Sequence, residues 1–382
     1  MRLSHISKWS VFVLSLLFLT SCWSMKEIED LGLVLGVAID LEEEGLEENL
    51  ITLTNQLAKS NSSEAGKEGG ASSFKNVSET GHSLMGLTLD SLLKNKEIPL
   101  AHHIKVIVIG EDLARTTNLQ QILDYFLREH EIRPSCLILI AKNRASQILE
   151  TSDPSVVPSL KLAQMTTNTH KRNSKVLPPV SLLKLSREIQ SESSFLLQNV
   201  ISTNGEVTLE GASVFEGKTK KLKGFLTKEE VMGINWIKGN VKGGYVEIFV
   251  EKQSNPIVFE VLSMKTHIQP HVNGNNISFE VDIESEGRIG EDRGISMKPF
   301  SDDTLARAEK AIEKEVKRLV ESVSEKTQEE LQADVFGYRD SLRIHYPKVW
   351  KKVKKDWDQT FSEVPIEYNV KITIKDFGTI GK

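Results

Sequence analysis

The chain has 382 residues, 39% hydrophobic and 26% charged, with a formal net charge of −5. That is the make-up of a globular protein with room for more than one core, and the acidic balance gives no support to nucleic-acid binding. Its two cysteines, Cys22 and Cys136, exclude a disulfide framework and leave no ligand set for a zinc site.

The first element reads as an export signal. Arg2 and Lys8 precede an apolar run from Val11 to Leu19, broken only by Ser15, and Leu19-Thr20-Ser21-Cys22 follows. At ~1.5 Å per residue that run is roughly 14 Å long, about half a bilayer core, so it is too short to span as a helix. Leu-Thr-Ser-Cys reads as a bacterial lipobox, with the Cys22 thiol as the lipidation site. An ordinary export signal with a cysteine at the cut is the alternative. Residues 1–21 are then a lipoprotein signal peptide, and losing its two cations takes the charge from −5 to −7.

Leu31, Leu33, Leu35, Val37 and Ile39 alternate with Gly32, Val34, Gly36, Ala38 and Asp40, which predicts a strand with one apolar face and one small-residue face. A second strand near Leu50 to Leu57 follows an acidic tip of Glu42, Glu43, Glu44, Glu47 and Glu48. The tip lacks the Asp/Asn/Gly spacing of a calcium loop and reads as a solvated hairpin end. Lys59 to Gly81 is Ser-, Gly- and Asn-rich and reads as a mobile loop. A helix follows, with Leu84, Leu87, Leu92 and Leu93 as its expected apolar side.

Val106 to Ile109 and Leu137 to Ile140 are apolar runs separated by Leu119, Ile122, Leu123, Phe126 and Leu127 at helical spacing. Strand, helix, strand predicts a parallel crossover and a sheet covered by helices. Ala145 to Glu150 reads as the start of another helix. Gly110 stands alone before Glu111 and Asp112, whose carboxylates repel phosphate, so a phosphate loop is excluded. Cys136 lies within an apolar run and reads as a buried, inert thiol.

Thr151 to Thr203 reads as helices and connections. Strands then return at Val207 to Leu209, Gly211 to Phe215 and Leu222 to Leu226, and Thr227-Lys228-Glu229-Glu230 forms a capping box opening a helix. Tyr245 to Val250, Ile257 to Leu262, Lys265 to Val272 and Ile277 to Glu284 predict an antiparallel meander with a turn at Asn273-Gly274. Leu305, Ala308, Ile312, Val316, Leu319, Val323 and Leu331 form the stripe of the longest helix, expected to pack on that sheet rather than in a coiled coil. Trp350, Val353 and Trp357 follow among Lys348, Lys351, Lys352, Lys354 and Lys355, a face read as solvated with anionic headgroups as the alternative. A last strand covers Ile366 to Ile374. The expected fold is α/β plus α+β: an N-terminal domain over 22–200 with a mixed sheet and crossover helices, a β-rich middle domain over 201–265, and a C-terminal α+β domain over 266–382, an antiparallel sheet packed on long helices.

With these pieces placed, the chain resembles the C subunits of spore germination receptors, the Ger(x)C lipoproteins. The residues that carry the likeness are Cys22-Trp23 with Lys26-Glu27-Ile28, Val34 to Asp40, and His103 through Glu111. Arg128-Glu129 to Arg133, Gly211 to Phe215, Leu222 to Leu226 and Trp236 continue it, and Asp334-Val335-Phe336-Gly337 with Pro347, Trp350 and Trp357 closes it. Ser24 departs from the acidic residue usual there, and the 59–81 loop has no match. The resemblance implies a lipoprotein on the outer face of the bacterial cell membrane or spore inner membrane, partnered by integral-membrane A and B subunits. It implies no cofactor, no metal and no small-molecule ligand for this subunit alone. The competing reading is a solute-binding lipoprotein of a membrane transporter, which needs two similar lobes around a cleft.

One group of residues has the types that acid–base catalysis uses: His102, His103, Glu111, Asp112, Arg128, Glu129, His130 and Glu131. His103 and Glu111 fall at opposite ends of one predicted strand, roughly 26 Å apart at ~3.3 Å per residue. No nucleophile elbow, zincin or phosphate-loop motif is present, and the chain reads as non-enzymatic.

Overall fold

The computed structural model describes residues 31–42, 50–59, 72–94, 97–240, 243–249, 256–292 and 302–376. The signal peptide, Cys22, Glu43, Glu44, Glu47 and Glu48 of the acidic tip, and residues 60–71 of the expected loop lie outside them.

The chain opens with strands β1 (Leu31–Leu41), β2 (Ile51–Ala58) and β3 (Phe74–Gly81), then helix α1 (Leu84–Lys94) and the short β4 (Ile98–Leu100). Next come β5 (Val106–Gly110), helices α2 (Glu111–Thr116) and α3 (Leu119–Arg128), β6 (Leu137–Ala141), and helices α4 (Pro158–Thr169) and α5 (Leu182–Gln190). Strands β7 (Phe195–Thr203), β8 (Glu206–Phe215) and β9 (Leu222–Leu226) complete a nine-stranded sheet in the order β3-β2-β1-β5-β6-β7-β8-β9, with β4 alongside β1. Helix α6 (Lys228–Ile237) leads to β10 (Tyr245–Ile248), β11 (Ile257–Asn273) and β12 (Asn276–Asp292). Helices α7 (Asp302–Glu325), α8 (Tyr338–His345), α9 (Pro347–Val353) and α10 (Trp357–Glu363) precede β13 (Ile366–Asp376), and a second, four-stranded sheet has the order β10-β11-β12-β13.

The predicted crossover is present. β5 and β6 are buried at every position and pair in parallel, Val106 opposite Leu137 and Ile109 opposite Ile140. Strands buried on both faces need continuous apolar runs, which these are. Alternate residues feed two cores: Ile107, Ile109, Ile138 and Ile140 join Leu113, Leu123 and Phe126 on one face. Val106, Val108 and Leu139 meet Ile148, Leu149 and Leu162 on the other.

Several expectations are corrected. β1 does not keep one apolar face: its register slips between Val34 and Gly36, so Val34 shares a core with Val37 and Ile39. A bulge adds a residue and reverses the alternation beyond it. Phe74–Gly81 is not loop but a strand, paired with β2 through Thr54 opposite Ser78 and Thr52 opposite Thr80, whose hydroxyls bond at 2.8 Å. Leu92 and Leu93 of α1, and Leu127 of α3, face solvent. Ala145 to Glu150 holds only the 3-10 turn Ser146–Leu149. Phe195–Thr203, expected among connections, is β7, parallel to β6 and antiparallel to β8. Residue 200 thus lies inside β7 and residue 265 inside β11, both expected boundaries falling within strands.

In the second sheet β10, β11 and β12 are antiparallel, and β13 joins β12 in parallel because four helices intervene. The α7 stripe is buried as expected, with Ile312, Val316, Leu319 and Val323 against Phe259, Phe279, Val281 and Ile283. Helix α6, capped at both ends of its Thr227–Glu230 box, is buried from Val231 to Ile237. It is the wedge between the sheets: Leu196, Ala212, Val214 and Leu226 of the first sheet share its core with the whole second sheet.

Candidate functional site

The residue types that suggested catalysis are dispersed. His103 ends a turn before β5 while Glu111 opens α2 after it. Glu111 pairs with Arg115 at 2.8 Å, and Arg128 with Asp124 at 2.6 Å, both helix-surface pairs four residues apart. Of pairs distant in sequence, His102 and Glu131 are brought together, at 3.9 Å with both half exposed. Gly110, too, has a packing role: a Cβ there would lie 2.4 Å from Asp40 Oδ1. Asp40 is buried and accepts from the backbone N–H of Ala145 (2.6 Å) and Ser146 (2.9 Å), so a carboxylate already occupies the space beside Gly110. Glu42, the described acid of the tip, accepts from Thr52 Oγ1 at 2.8 Å, which lowers its pKa with help from Arg144. Among the described residues no three His, Cys, Asp or Glu side chains converge as a metal site. Burial pushes the Cys136 thiol up to about 12, so it is inert.

Three other features are better defined. The first is a cleft of about 320 Å³ at the seam of the sheets, lined by Lys184, Glu188, Asn235, Lys238, Asp334 and Arg339. Lys238 as a whole residue is exposed, but desolvation of its ammonium at the cleft lowers its pKa against the pull of Glu188, while burial raises that of Glu188. Asn235 Nδ2 donates to the Ser174 and Val176 carbonyls. The lining serines are committed: Ser191 Oγ donates to the Glu188 carbonyl at 2.7 Å, and Ser194 Oγ accepts from Gly217 N at 3.0 Å. Mixed charges and engaged hydroxyls make a polar seam, with no aligned nucleophile and base.

The second is a knot at Asp334-Val335-Phe336-Gly337. Asp334 Oδ1 accepts from the N–H groups of Phe336, Gly337 and Tyr338 at 3.1, 3.0 and 3.3 Å. Oδ2 accepts from Arg339 N at 2.8 Å and Trp357 Nε1 at 2.9 Å. One carboxylate thereby caps α8 and pins α10. Behind it Tyr338 and Tyr368 share a hydroxyl bond of 2.8 Å that Ser324 extends to α7, and burial pushes Tyr368 up to about 12. The third is the outer face of α1, where Met85, Leu89, Leu92 and Leu93 are exposed. A helical wheel shows this arc, opposite Leu84 and Leu87; reading all its leucines as one buried side conceals it.

No helix of the described residues is long and apolar enough to cross a membrane. The two sheets differ in strand number and order, unlike the paired lobes of a solute-binding protein. The class defined is therefore a two-sheet α/β protein in which Gly110 serves packing and Asp334 serves capping.

Comparison with known proteins places it further. A family model described as spore germination protein N-terminal domain matches residues 24–201, and one described as spore germination B3/GerAC like, C-terminal, matches 210–378. Spore germination protein YndF of Bacillus subtilis (strain 168) is 40% identical over 97% of this chain and 96% of its own length. Spore germination protein B3 of the same organism is 33% identical over 98% and 99%. The crystal structure of the GerBC protein superposes with a TM-score of 0.62 at 27% identity, covering 91% of this chain and 99% of that one. The chain belongs to the Ger(x)C family of spore germination proteins.

Proposed function

We propose that the chain is the C subunit of a nutrient germinant receptor, a non-enzymatic lipoprotein required for receptor assembly and spore germination. Acyl chains on Cys22 hold it on the outer face of the bacterial cell membrane or spore inner membrane, beside integral-membrane A and B subunits. The observation that carries this reading is end-to-end similarity: both halves match, at 24–201 and 210–378, and the relatives named above are spore germination proteins. A dispersed set of titratable groups and a polar seam suit a protein that works through its surfaces. Two acyl chains give stable attachment where one is marginal. Leu31 stands nine residues after Cys22, so the leash reaches at most about 30 Å and holds the first sheet beside its partners at high effective concentration.

The test is affinity purification of the tagged chain from detergent-solubilised spore membranes, with Cys22→Ala alongside. Two polytopic membrane proteins should copurify with the parent, and Cys22→Ala should leave the membrane fraction and slow nutrient germination. A chain that purifies alone, with deletion spores germinating normally on every nutrient, ends the receptor reading.

A further inference from the structure

Helix α1 buries Leu84, Leu87 and Ser91 and leaves its other side bare. Met85 is 63% exposed, Leu89 53%, Leu92 41% and Leu93 86%. At about 100° per residue these four positions span an arc of roughly 100°, centred nearly opposite the buried ones. Asp90 and Lys94, the charged residues of α1, fall outside the arc. Lys94 reaches away to Glu79. An apolar stripe turned to water on a short helix is costly unless something covers it.

The topology places this stripe beside the start of the leash. Leu31, first residue of β1, pairs in parallel with Ile98 of β4, itself 40% exposed. Ile98 follows Leu93 by five residues, a reach of about 17 Å, and the strand spacing adds about 5 Å, so the stripe's end lies within roughly 22 Å of the point where the chain leaves for Cys22.

We infer that α1 is a membrane-docking helix, lying in the headgroup layer with Met85, Leu89, Leu92 and Leu93 turned into the lipid. This rests on the lipid-anchor reading of Cys22. Four side chains on an eleven-residue helix are too few to hold a protein on a bilayer unaided, but a tether makes the second contact intramolecular and raises its occupancy. The consequence is orientation. With α1 in the interface, the rim carrying Leu31 and Ile98 faces the membrane, and the protein no longer swings freely on its leash. An apolar stripe without basic residues also makes docking depend on lipid packing more than on anionic charge.

The experiment uses the full acylated chain on phosphatidylcholine/phosphatidylglycerol vesicles whose acyl chains carry bromine. Single probes are attached through Leu89→Cys, Leu93→Cys and, as the distant control, Ile344→Cys, which is 66% exposed on α8. Native Cys136 is buried with its thiol pushed up to about 12, so it does not take label. Quenching of at least about half at 89 and 93, against under about a tenth at 344, is the expected result for a side chain sunk into the interface. Unquenched probes at 89 and 93 on chains that float with the vesicles overturn the inference and leave a protein partner as the cover for α1. Quenching at 344 in place of 93 also overturns it, and assigns docking to the lysine-bearing face of α9. Failure of the anchor reading shows separately, as chains that do not float and whose Cys22 takes label. The comparison is then read on Cys22→Ala chains with a hexahistidine tag in place of residues 1–21, held by nickel-chelating lipid, where the same quenching pattern supports docking and its absence refutes it.

Discussion

Replacing Asp334 by asparagine removes one formal charge and almost no volume, which makes it a clean probe of the knot. The carboxylate is 2% exposed and accepts five hydrogen bonds, three on Oδ1 and two on Oδ2. Asparagine keeps one acceptor oxygen and turns the other into an NH₂ donor. If Oδ1 is kept, the new NH₂ faces the N–H of Arg339 and of Trp357, so two buried donors lose their partner and meet a third. At about 1–3 kcal/mol for each of the two donors left unpaired, the loss is roughly 2–6 kcal/mol. The three bonds that survive weaken as well, because their acceptor is no longer charged. For a unit of this size each kcal/mol lowers Tm by about 2–4 °C, so a drop between roughly 4 and 24 °C is expected. Asp334→Ala, which strips both acceptor oxygens and all five hydrogen bonds, should fall further. Thermal unfolding by circular dichroism gives the drop, and indole fluorescence reports whether Trp357 has been released. A change under about 2 °C for Asp334→Asn, with an unaltered indole spectrum, would mean that the knot is not held by this carboxylate.

Gly211 has φ +61°, and a Cβ there would lie 1.9 Å from the Leu226 carbonyl oxygen, so Gly211→Ala must part β8 from β9. A loss of more than about 3 kcal/mol, read as insoluble protein or a collapsed Tm, is expected, and near-normal stability would contradict the geometry. Cys136 and Tyr368 are both pushed up to about 12. The unfolded chain therefore gives up these protons first, and the stability they contribute is present below pH about 9 and lost as pH climbs toward 12. Urea midpoints should fall across pH 9 to 11 and fall less in Cys136→Ala; a flat profile refutes the assignment. Glu131→Gln breaks the His102 contact, and at unchanged protein level germination should proceed at the parental rate. A hundredfold loss would reveal an active site.

The sequence by itself determined those elements whose stabilising partners are their own neighbours. β5 and β6 are apolar at successive positions and so had to be central strands. The Thr227–Glu230 capping box closes within one turn, and the α7 stripe repeats on one face. Tertiary structure decided the rest. β7 contains Gln198 and Asn199, polar residues that discourage a buried strand until their partners are known. Gln198 Nε2 donates to the Gly211 carbonyl at 2.7 Å and its Oε1 accepts from Leu177 N at 2.9 Å, while Ser213 Oγ donates to Asn199 Oδ1. Burying such groups costs less where residues distant in the chain bond them, as they do at both ends of the Gln198 amide and at Asn199 Oδ1, though the Asn199 Nδ2 finds no partner among the described residues; local pattern does not encode such partners. The phase reversal at the β1 bulge and the strand at Phe74–Gly81 depend likewise on what β2 offers. Of the surfaces, the α1 arc was present in the spacing of Met85, Leu89, Leu92 and Leu93. Which of the helix's two apolar sides turns inward was fixed only when Leu84 and Leu87 met the core under the first sheet.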